Sequence, residues 1–302
     1  MDWRIKYGIQ RALSLTPIFG RQINHVLAER FAGLKNLKPW EVGNALAMVS
    51  VLRSQGFDPE GKIFVELGTG WTASAAMTLL GCGAAEVNSF DLYRHLIQKY
   101  QDRAMEWLGE IHKHIDRTYP FEPDLTAEAS RFQMSRIQRD RFHYFAPHDA
   151  TRTDLPDNMA DCYYSLAVLE HVPKAVIANL LRESFRVLKP GGYCFHYVQP
   201  TMHAAWMDKN ATGIDYLTCS DWQWRYLYDN DIAHECRLRG VDHIALLKDA
   251  GFELVHEWHT IDEKAMSLLP QKRLAPKFRG YTAEEICTND IWLLGRKPYP
   301  VN

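Results

Sequence analysis

The sequence predicts an α/β fold: a seven-stranded, doubly wound and mostly parallel sheet with a helical N-terminal segment and helical insertions. From residue 61 onward, short apolar runs alternate with helical repeats, which is typical of parallel sheets covered by helices on both faces. A glycine-rich turn joins the first apolar run to the first helical repeat of this part. The length of 302 residues allows one large domain with elaborations.

Seven strands and three helices follow from this alternation. The predicted strands are residues 62–67, 86–92, 142–146, 159–166, 193–198, 252–258 and 291–296. The predicted helices are residues 72–80, 175–188 and 241–250. Pro190, Gly191 and Gly192 predict a turn that ends the second of these helices. Residues 94–141, 199–240 and 260–289 are insertions, and we expect helices in each because long structureless loops are uncommon.

The N-terminal part differs from the rest and divides the chain into two predicted regions. Residues 1–58 form a helical cap, and residues 59–302 form the main domain with its insertions. Within residues 1–38, Ile5, Ile9 and Leu13 share one helical face. The apolar residues of a second predicted helix are Ile23, Val26, Leu27 and Phe31. This basic segment either touches an anionic membrane surface or packs on the main domain with its charges in solvent.

Composition excludes several classes of protein and sets the expected compartment. A net charge of -2 supplies no global basic field for nucleic acid. No apolar stretch is long enough for a transmembrane helix, and the start lacks the apolar core of a secretory signal. The six cysteines form no CxxC pair, so neither a zinc half-site nor a disulfide framework is expected. We expect a cytoplasmic protein, with peripheral contact at the inner face of a membrane left open; its oligomeric state also stays open.

The glycine-rich turn is a candidate nucleoside-binding site. Gly68 and Gly70 follow the first predicted strand and permit close approach of a ligand to the backbone. Asp91 ends the second strand, where a carboxylate can accept both hydroxyls of a ribose. Nicotinamide oxidoreductases and S-adenosylmethionine (SAM) methyltransferases share this pattern. Glu66 favours the second class, because a carboxylate suits a cationic ligand and repels a pyrophosphate, and bulky Trp71 hinders a phosphate cradle.

Several ordered motifs carry a resemblance to one family. The sequence Glu66-Leu67-Gly68-Thr69-Gly70 resembles motif I, E/D-x-G-x-G, of the class I SAM-dependent methyltransferases. Asp91 matches the family's ribose-binding acid, and Asp149-Ala150 resembles its adenine-binding acidic position. Residues 160–172 are similar to the family's D-x-x-x-S-x-x-x-L-E-H-V stretch, and residues 186–192 to its LKPGG turn. The resemblance covers residues 60–200, and residues 241–297 by pattern alone.

The resemblance implies a Rossmann-like fold, SAM as the cofactor and methyl transfer as the reaction. The residues it implies for cofactor binding are Glu66, Gly68, Thr69, Gly70, Asp91, Leu92, Asp149, Ala150, Ser165 and Leu166. The basic N-terminus and the aromatic insertion resemble, more loosely, O-methyltransferases of bacterial polysaccharide and natural-product pathways. We therefore expect methylation of a hydroxyl on a small molecule or saccharide.

A hydroxyl acceptor needs a base, and histidine is the usual base near neutral pH. His171, just beyond the fourth strand, and His203, beyond the fifth, are the candidate catalytic residues. His196 is expected in the core and His243 in a helix, while His234 has no assigned place. No pair of histidines has a metal-ligand spacing such as HExxH, so no metal site is expected.

The aromatic insertion supplies the candidate acceptor site. The residues predicted to bind the acceptor are Tyr197, Gln199, Trp206, Trp222 and Trp224. Flat rings in this insertion either stack on a saccharide or pack the insertion on the domain. Acidic residues outnumber basic ones here, which argues against an RNA or DNA acceptor. Three alternatives stay open: a methyltransferase with a carbon or nitrogen acceptor, an NAD(P)-dependent oxidoreductase and a non-catalytic SAM-binding module.

Overall fold

The computed structural model describes residues 2–15, 39–115, 118–231 and 234–300 and contains a seven-stranded sheet. The strands are β1 Ile63–Leu67, β2 Glu86–Phe90, β3 Phe142–Phe145, β4 Ala160–Leu166, β5 Leu188–Val198, β6 Glu253–Ile261 and β7 Thr288–Arg296. Their order is β3-β2-β1-β4-β5-β7-β6, and β7 runs antiparallel to both of its neighbours. The predicted fold class and all seven predicted strands are confirmed.

Two strands begin earlier than the sequence predicts. Leu188 already pairs with Ala160, so β5 starts before the glycine turn, and the helix before it ends at Val187. The register between β4 and β5 shifts across this turn, where Gly191 has a φ of +80°. Such an irregularity keeps a strand paired through a turn-like sequence. β7 starts at Thr288, inside the predicted insertion of residues 260–289.

The structure contains ten α-helices within the described residues. They are α1 Trp3–Ser14, α2 Trp40–Ser54, α3 Ser74–Gly81, α4 Gln98–Gly109, α5 Leu125–Arg131, α6 Lys174–Val187, α7 Asp221–Gln223, α8 Gly240–Asp249, α9 Glu263–Leu268 and α10 Ala283–Cys287. Short 3-10 turns and one π-helical turn, Trp224–Tyr228, connect several of them. The three predicted helices are confirmed as α3, α6 and α8, and each of the three insertions carries helices.

Helices cover both faces of the sheet. α2 and α3 pack on one face with a core that includes Phe64 and Tyr164. α6 and α8 pack on the other face with Val65 and Tyr163, the neighbours of those residues along the strands. Successive residues of a strand point to opposite faces, so both faces of β1 and β4 are buried.

A third cluster joins α1 to the insertion at residues 199–240. α1 buries Trp3 and Tyr7, whereas Ile5 and Ile9 are 58% and 51% exposed. Ile5 and Ile9 do share a face, but it is the outward one, because the aromatic pair fills the cluster instead. The second helix predicted from Ile23 to Phe31 lies outside the described residues. None of the described helices is both long and apolar enough to cross a membrane.

The strand order positions a crevice at the carboxyl ends of the strands. The chain leaves β1 toward β2 and β3 and then returns to place β4 on the other side of β1. Loops that follow β1 and β4 therefore diverge at this point and leave a gap above the sheet. In open α/β sheets, ligands bind at such a switch point.

Candidate functional site

A cavity of about 590 Å³ opens at this switch point. Its volume lies within the roughly 300–1,000 Å³ of typical small-molecule sites. The residues predicted to bind the cofactor line it, with one exception: Glu66, Gly68, Thr69, Gly70, Asp91, Leu92, Asp149, Ala150 and Leu166 all contribute. The exception is Ser165, which is fully buried with its hydroxyl 2.7 Å from His196 Nδ1. Ser165 therefore packs in the core beneath the cavity floor.

The turn after β1 has the backbone conformation that glycine permits. Gly68 and Gly70 have φ values of +80° and +68°, in the left-handed region. A Cβ on Gly68 would overlap the Val168 side chain, whereas a Cβ on Gly70 would meet nothing closer than Glu41 Oε1 at 4.0 Å. The Gly68 amide donates to the carbonyl of Phe90 at 2.8 Å and ties the turn to β2. Glycine is therefore required at position 68 by both conformation and space, and at position 70 by conformation alone.

Two buried carboxylates face the cavity from β1 and from the end of β2. Burial raises the pKa of Glu66 to about 8, and its Oε2 accepts a hydrogen bond from the Ser89 hydroxyl. Burial likewise raises the pKa of Asp91 to about 7, opposed by the hydrogen bond that Tyr144 donates at 2.9 Å. A cation or a set of hydroxyl donors would stabilise the ionised forms. The donor chemistry of SAM, an ammonium group and a ribose, fits this pair.

The cavity lining also includes Leu92 and the pair Asp149-Ala150, which the resemblance places beside the adenine. Leu92 is 58% exposed, and Ala150 is buried. Asp149 is exposed, and its Oδ1 accepts from the Thr151 amide at 2.9 Å, so it also caps its loop. Asp149 therefore both caps its loop and lines the cavity.

α2 brings residues to the cavity that the sequence analysis did not find. Trp40 and Glu41 line it from the first turn of α2. Glu41 Oε2 accepts from Thr72 Oγ1 at 3.1 Å and from Ser74 Oγ at 2.5 Å, which pins the start of α3. Burial raises the Glu41 pKa. The Pro39-Trp40-Glu41 sequence is a helix-start signal, but nothing local indicates that this helix reaches the cofactor crevice.

The fold brings the two candidate bases together. The ring centroids of His171 and His203 are 4.8 Å apart, and His171 lines the cavity. His171 Nδ1 lies 2.8 Å from the carbonyl of His234, and a carbonyl only accepts, so Nδ1 carries the proton and Nε2 keeps a free lone pair. Burial lowers the pKa of both histidines. His203 stacks on Trp206 at 4.5 Å and does not line the cavity.

The three other histidines considered from the sequence, His196, His234 and His243, have structural partners or lie in the core. His196 and His243 are buried, and burial lowers the pKa of each to about 3. His234 Nδ1 lies 2.6 Å from Asp229 Oδ1. These placements agree with the core and helix positions expected for His196 and His243.

A carboxylate adjoins the histidine pair. Glu170 is 3% exposed, and burial raises its pKa to about 8. Its Oε1 accepts from the Gln199 amide at 3.3 Å, while its Oε2 and the Nε2 of His203 have no hydrogen-bond partner. Glu170, His171 and His203 each offer a metal-ligand atom within 4.8 Å of the others. Sequence spacing gave no sign of this group, because His203 comes from a different loop.

The residues predicted to bind the acceptor do not form one surface. Tyr197 is buried, and its hydroxyl donates to Asp290 Oδ1 at 2.6 Å. Gln199 Nε2 donates to the same oxygen at 2.9 Å. Trp224 is 5% exposed inside the third cluster, whereas Trp206 and Trp222 are exposed. Trp206 of the predicted set stacks on the candidate base His203.

Comparisons with known proteins were made against families, curated sequences and solved structures. A family described as a methyltransferase domain matches residues 120–196. No curated protein matches the chain. A protein of Galdieria sulphuraria proposed to be a sarcosine dimethylglycine methyltransferase is 15% identical, with 85% of this chain and 86% of that chain covered and a TM-score of 0.49.

Two further solved structures have similar values. The [4+2]-cyclase SpnF is 16% identical, with 86% of this chain and 80% of that chain covered and a TM-score of 0.46. A SAM-dependent methyltransferase of Methanosarcina mazei is 16% identical, with 82% and 98% covered and a TM-score of 0.44. Residues 120–196 thus match a methyltransferase domain, and the ordered motifs and the sheet that presents them agree with SAM as the cofactor of this domain.

Proposed function

We propose that the chain transfers the methyl group of SAM to a hydroxyl of a small molecule or saccharide, with His171 as the general base. The observation that carries this proposal is the fixed orientation of His171 at the cavity wall. Its Nδ1 is held by the His234 carbonyl, which leaves the Nε2 lone pair for an acceptor proton. Because burial lowers its pKa, the imidazole is in its basic form at neutral pH.

The cavity lining suggests how the cofactor is held. Asp91 would accept from the ribose hydroxyls, and Glu66 would lie toward the ammonium group. Leu92, Ala150 and Leu166 would pack against the nucleoside, with Asp149 at the adenine edge. Bound SAM supplies a methyl group activated by its sulfonium charge. The chain's own contribution is alignment of the acceptor oxygen, which proximity can make worth about 7–11 kcal/mol, and removal of its proton.

The side of His171 away from the glycine turn suits the acceptor. His203 and Trp206 stack there, and Trp206 is 68% exposed, so a flat ring borders the approach to the base. Such a ring can stack on the apolar face of a sugar. His203 Nε2 and Glu170 Oε2 are buried beside the base without hydrogen-bond partners, and neither residue lines the cavity.

Binding of a divalent cation is the alternative role for Glu170, His171 and His203. Nitrogen and oxygen ligands on one tetrahedral zinc ion lie ~3.4 Å apart, given bonds of about 2.0–2.1 Å. Glu170 Oε1 and His203 Nε2 are 4.0 Å apart, so the side chains would have to move inward. We therefore favour general base catalysis by His171 over metal binding. Turnover that persists after dialysis against EDTA supports it, and turnover that vanishes with EDTA and returns with zinc contradicts it.

Labelled SAM tests the acceptor class directly. Panels of saccharides, phenolic small molecules, amines, protein and RNA would be incubated with the enzyme and methyl-labelled SAM. Label in a base-stable ether of a hydroxyl compound supports the proposal. Transfer only to an amine or a carbon atom would replace the hydroxyl assignment, and transfer only to protein or RNA would overturn the acceptor class. Binding of S-adenosylhomocysteine without any transfer would favour a non-catalytic module.

A further inference from the structure

α1 docks on the protein through aromatic anchors. Tyr7 is 1% exposed, and its hydroxyl donates to Glu235 Oε1 at 2.6 Å. The Trp3 amide donates to Asp208 Oδ2 at 3.1 Å, and its ring lies 5.3 Å from that of Tyr228. These contacts fix which side of α1 faces the protein and which side faces away.

The side of α1 that faces away is also apolar. At 100° per residue, Ile5 and Ile9 project opposite to the face that holds Trp3 and Tyr7. Both isoleucines are more than half exposed. A surface helix ordinarily buries its one apolar stripe and presents charged residues to water. α1 instead buries one apolar face and exposes a second.

Neighbouring segments expose apolar side chains as well. α1 packs against both the turn His203–Met207 and the π-helical turn Trp224–Tyr228. More than half of the exposed large hydrophobic side chains of the described residues belong to α1, to the residue after it, to these two turns and to α7, which directly precedes the π-helical turn: Ile5, Ile9, Leu15, Trp206, Met207, Trp222, Tyr226 and Leu227. A concentration of this kind on a soluble protein marks an interaction surface. We name Ile5, Ile9, Trp222, Tyr226 and Leu227 the apolar outer face.

Basic side chains accompany this face. Arg4 and Arg11 lie on the side of α1 between its docked face and its outward stripe, with the Arg4 guanidinium 4.5 Å from the centre of the Trp3 ring. Arg225 lies between Trp224 and Tyr226 in the sequence. Arg4 and Arg225 are exposed. Exposed aliphatic residues beside Trp, Tyr and arginine are the composition of helices that lie in the plane of an anionic membrane. Each such cation near an anionic surface adds attraction, which the exposed acids Asp2, Asp221 and Asp231 of the same segments partly offset.

We propose that the apolar outer face docks on the surface of an anionic phospholipid bilayer, with α1 lying in the interface. Ile5 and Ile9 would enter the headgroup boundary, and Arg4, Arg11 and Arg225 would contact lipid phosphates. Trp206 belongs to the same neighbourhood and stacks on His203, so docking brings the acceptor side of the site to the lipid surface. Membrane contact by this route requires no spanning helix.

Vesicle co-sedimentation of the full chain tests the proposal. The wild-type protein should sediment with phosphatidylglycerol vesicles, bind phosphatidylcholine vesicles at least tenfold more weakly and dissociate as salt is raised. The double variant Ile5→Glu with Ile9→Glu should lose at least tenfold in partitioning, and Leu227→Glu should lose several-fold. Arg4→Gln with Arg11→Gln should weaken binding to the anionic vesicles and leave binding to the neutral ones unchanged.

Matched controls separate docking from misfolding. Met134→Glu and Tyr299→Glu change exposed apolar residues elsewhere and should keep wild-type partitioning. All variants should keep wild-type affinity for S-adenosylhomocysteine, because none of these residues lines the cofactor cavity. Absence of binding to phosphatidylglycerol, or equal binding by wild type and the Ile5/Ile9 variant, would overturn the proposal. So would a wild-type dimer that this variant dissociates, since a second copy would then cover the face.

Discussion

The chemistry proposed at the residue scale depends on which nitrogen of His171 carries the proton. The His234 carbonyl fixes the proton on Nδ1, so Nε2 is the basic atom. His234 lies in the aromatic insertion, and His171 follows β4. The orientation of the base is therefore set by a contact between segments far apart in sequence. The motif around His171 could indicate a candidate base, but only the fold identifies its reactive nitrogen.

Replacing the base should reduce turnover and leave cofactor binding intact. For His171→Gln we expect kcat to fall about 10²–10⁴-fold, the usual contribution of general base catalysis. Affinity for S-adenosylhomocysteine should stay within about threefold, since the base serves the acceptor. The exposed His259 supplies a matched control, His259→Gln, which should keep wild-type kcat. A wild-type rate in His171→Gln would reject the assignment.

The kcat of the wild-type enzyme should fall at acidic pH and stay constant near neutral pH. Burial lowers the His171 pKa below its ordinary 6.5, so the basic form already predominates at neutral pH. The kcat should therefore be flat through neutrality and decline only in acid, as Nε2 is protonated. A pre-steady-state methyl-transfer rate measured from acid to neutral pH checks this. A decline that begins above pH 6.5 would contradict the placement of the base.

Glu66 predicts a separate pH effect on cofactor affinity. Its pKa is raised to about 8 in the free protein, so the carboxyl is largely protonated at neutral pH. An ammonium group beside it favours the ionised form, and binding should release a proton. Affinity for S-adenosylhomocysteine should thus rise between pH 6 and 8, by at most about tenfold per unit for one proton. Calorimetry in buffers of different ionisation enthalpy measures the release, which Glu66→Gln should reduce to the part contributed by Asp91, whose pKa is raised to about 7. Equal release in that variant and in the wild type would reject the role of Glu66.

Gly68 tests the geometry of the turn. Gly68→Ala adds a Cβ that overlaps Val168 at a φ of +80°. Gly56→Ala is a matched control, because Gly56 has a φ of +76° and open space around it. Both should lose about 1 kcal/mol or more of unfolding free energy from backbone strain, measured by urea denaturation. Only Gly68→Ala should also lose cofactor affinity, by tenfold or more, and equal affinity losses in the two would contradict the account.

At the scale of elements, helices with an amphipathic repeat could be predicted from the sequence, and helices without one could not. α6 repeats apolar residues on one face and was predicted within a residue. α2 buries residues all round, so it lacks the amphipathic period that indicates a helix. Its side chains nevertheless form much of one core face and part of the cavity wall. For α1 the periodicity indicated the helix and the shared face of Ile5 and Ile9 but not which face packs on the protein, because Trp3 and Tyr7 match the aromatic cluster beneath.

One buried arginine ties three of these elements together. Arg239 is 0% exposed, and its guanidinium donates to the carbonyls of Pro200, Glu285, Ile286 and Thr288. It thereby joins the loop after β5 to α10 and the start of β7. No pattern in the sequence indicates this role, because the partners are backbone carbonyls.

Arg239→Lys should loosen this junction. Lysine cannot reproduce the planar fork, so buried carbonyls lose their donors and the unfolding free energy should fall by about 3–5 kcal/mol. Hydrogen exchange should quicken in residues 199–240 and 283–290. Arg225→Lys, at an exposed site in the same insertion, should change neither quantity. Equal stability of the two variants would show that the junction does not depend on Arg239.

For the whole molecule, the sequence indicates the cofactor better than the acceptor. The residues predicted to bind the cofactor lie at the ends of parallel strands. Parallel strands all have their carboxyl ends at the same edge of the sheet, so these residues come together. The candidate acceptor residues come from an insertion whose path is set by long-range contacts. Aromatic residues there were predicted to stack on a ligand or to pack, and the structure divides them: Tyr216 and Trp224 pack, whereas Trp206 and Trp222 are exposed.

Calorimetric titration of the full chain with S-adenosylhomocysteine and, separately, with NADH tests the central claim most directly. We expect one site per chain for S-adenosylhomocysteine and no heat of binding for NADH, because Glu66 suits an ammonium group and the bulky Trp71 hinders a phosphate cradle. Heat with NADH and none with S-adenosylhomocysteine or SAM would contradict it.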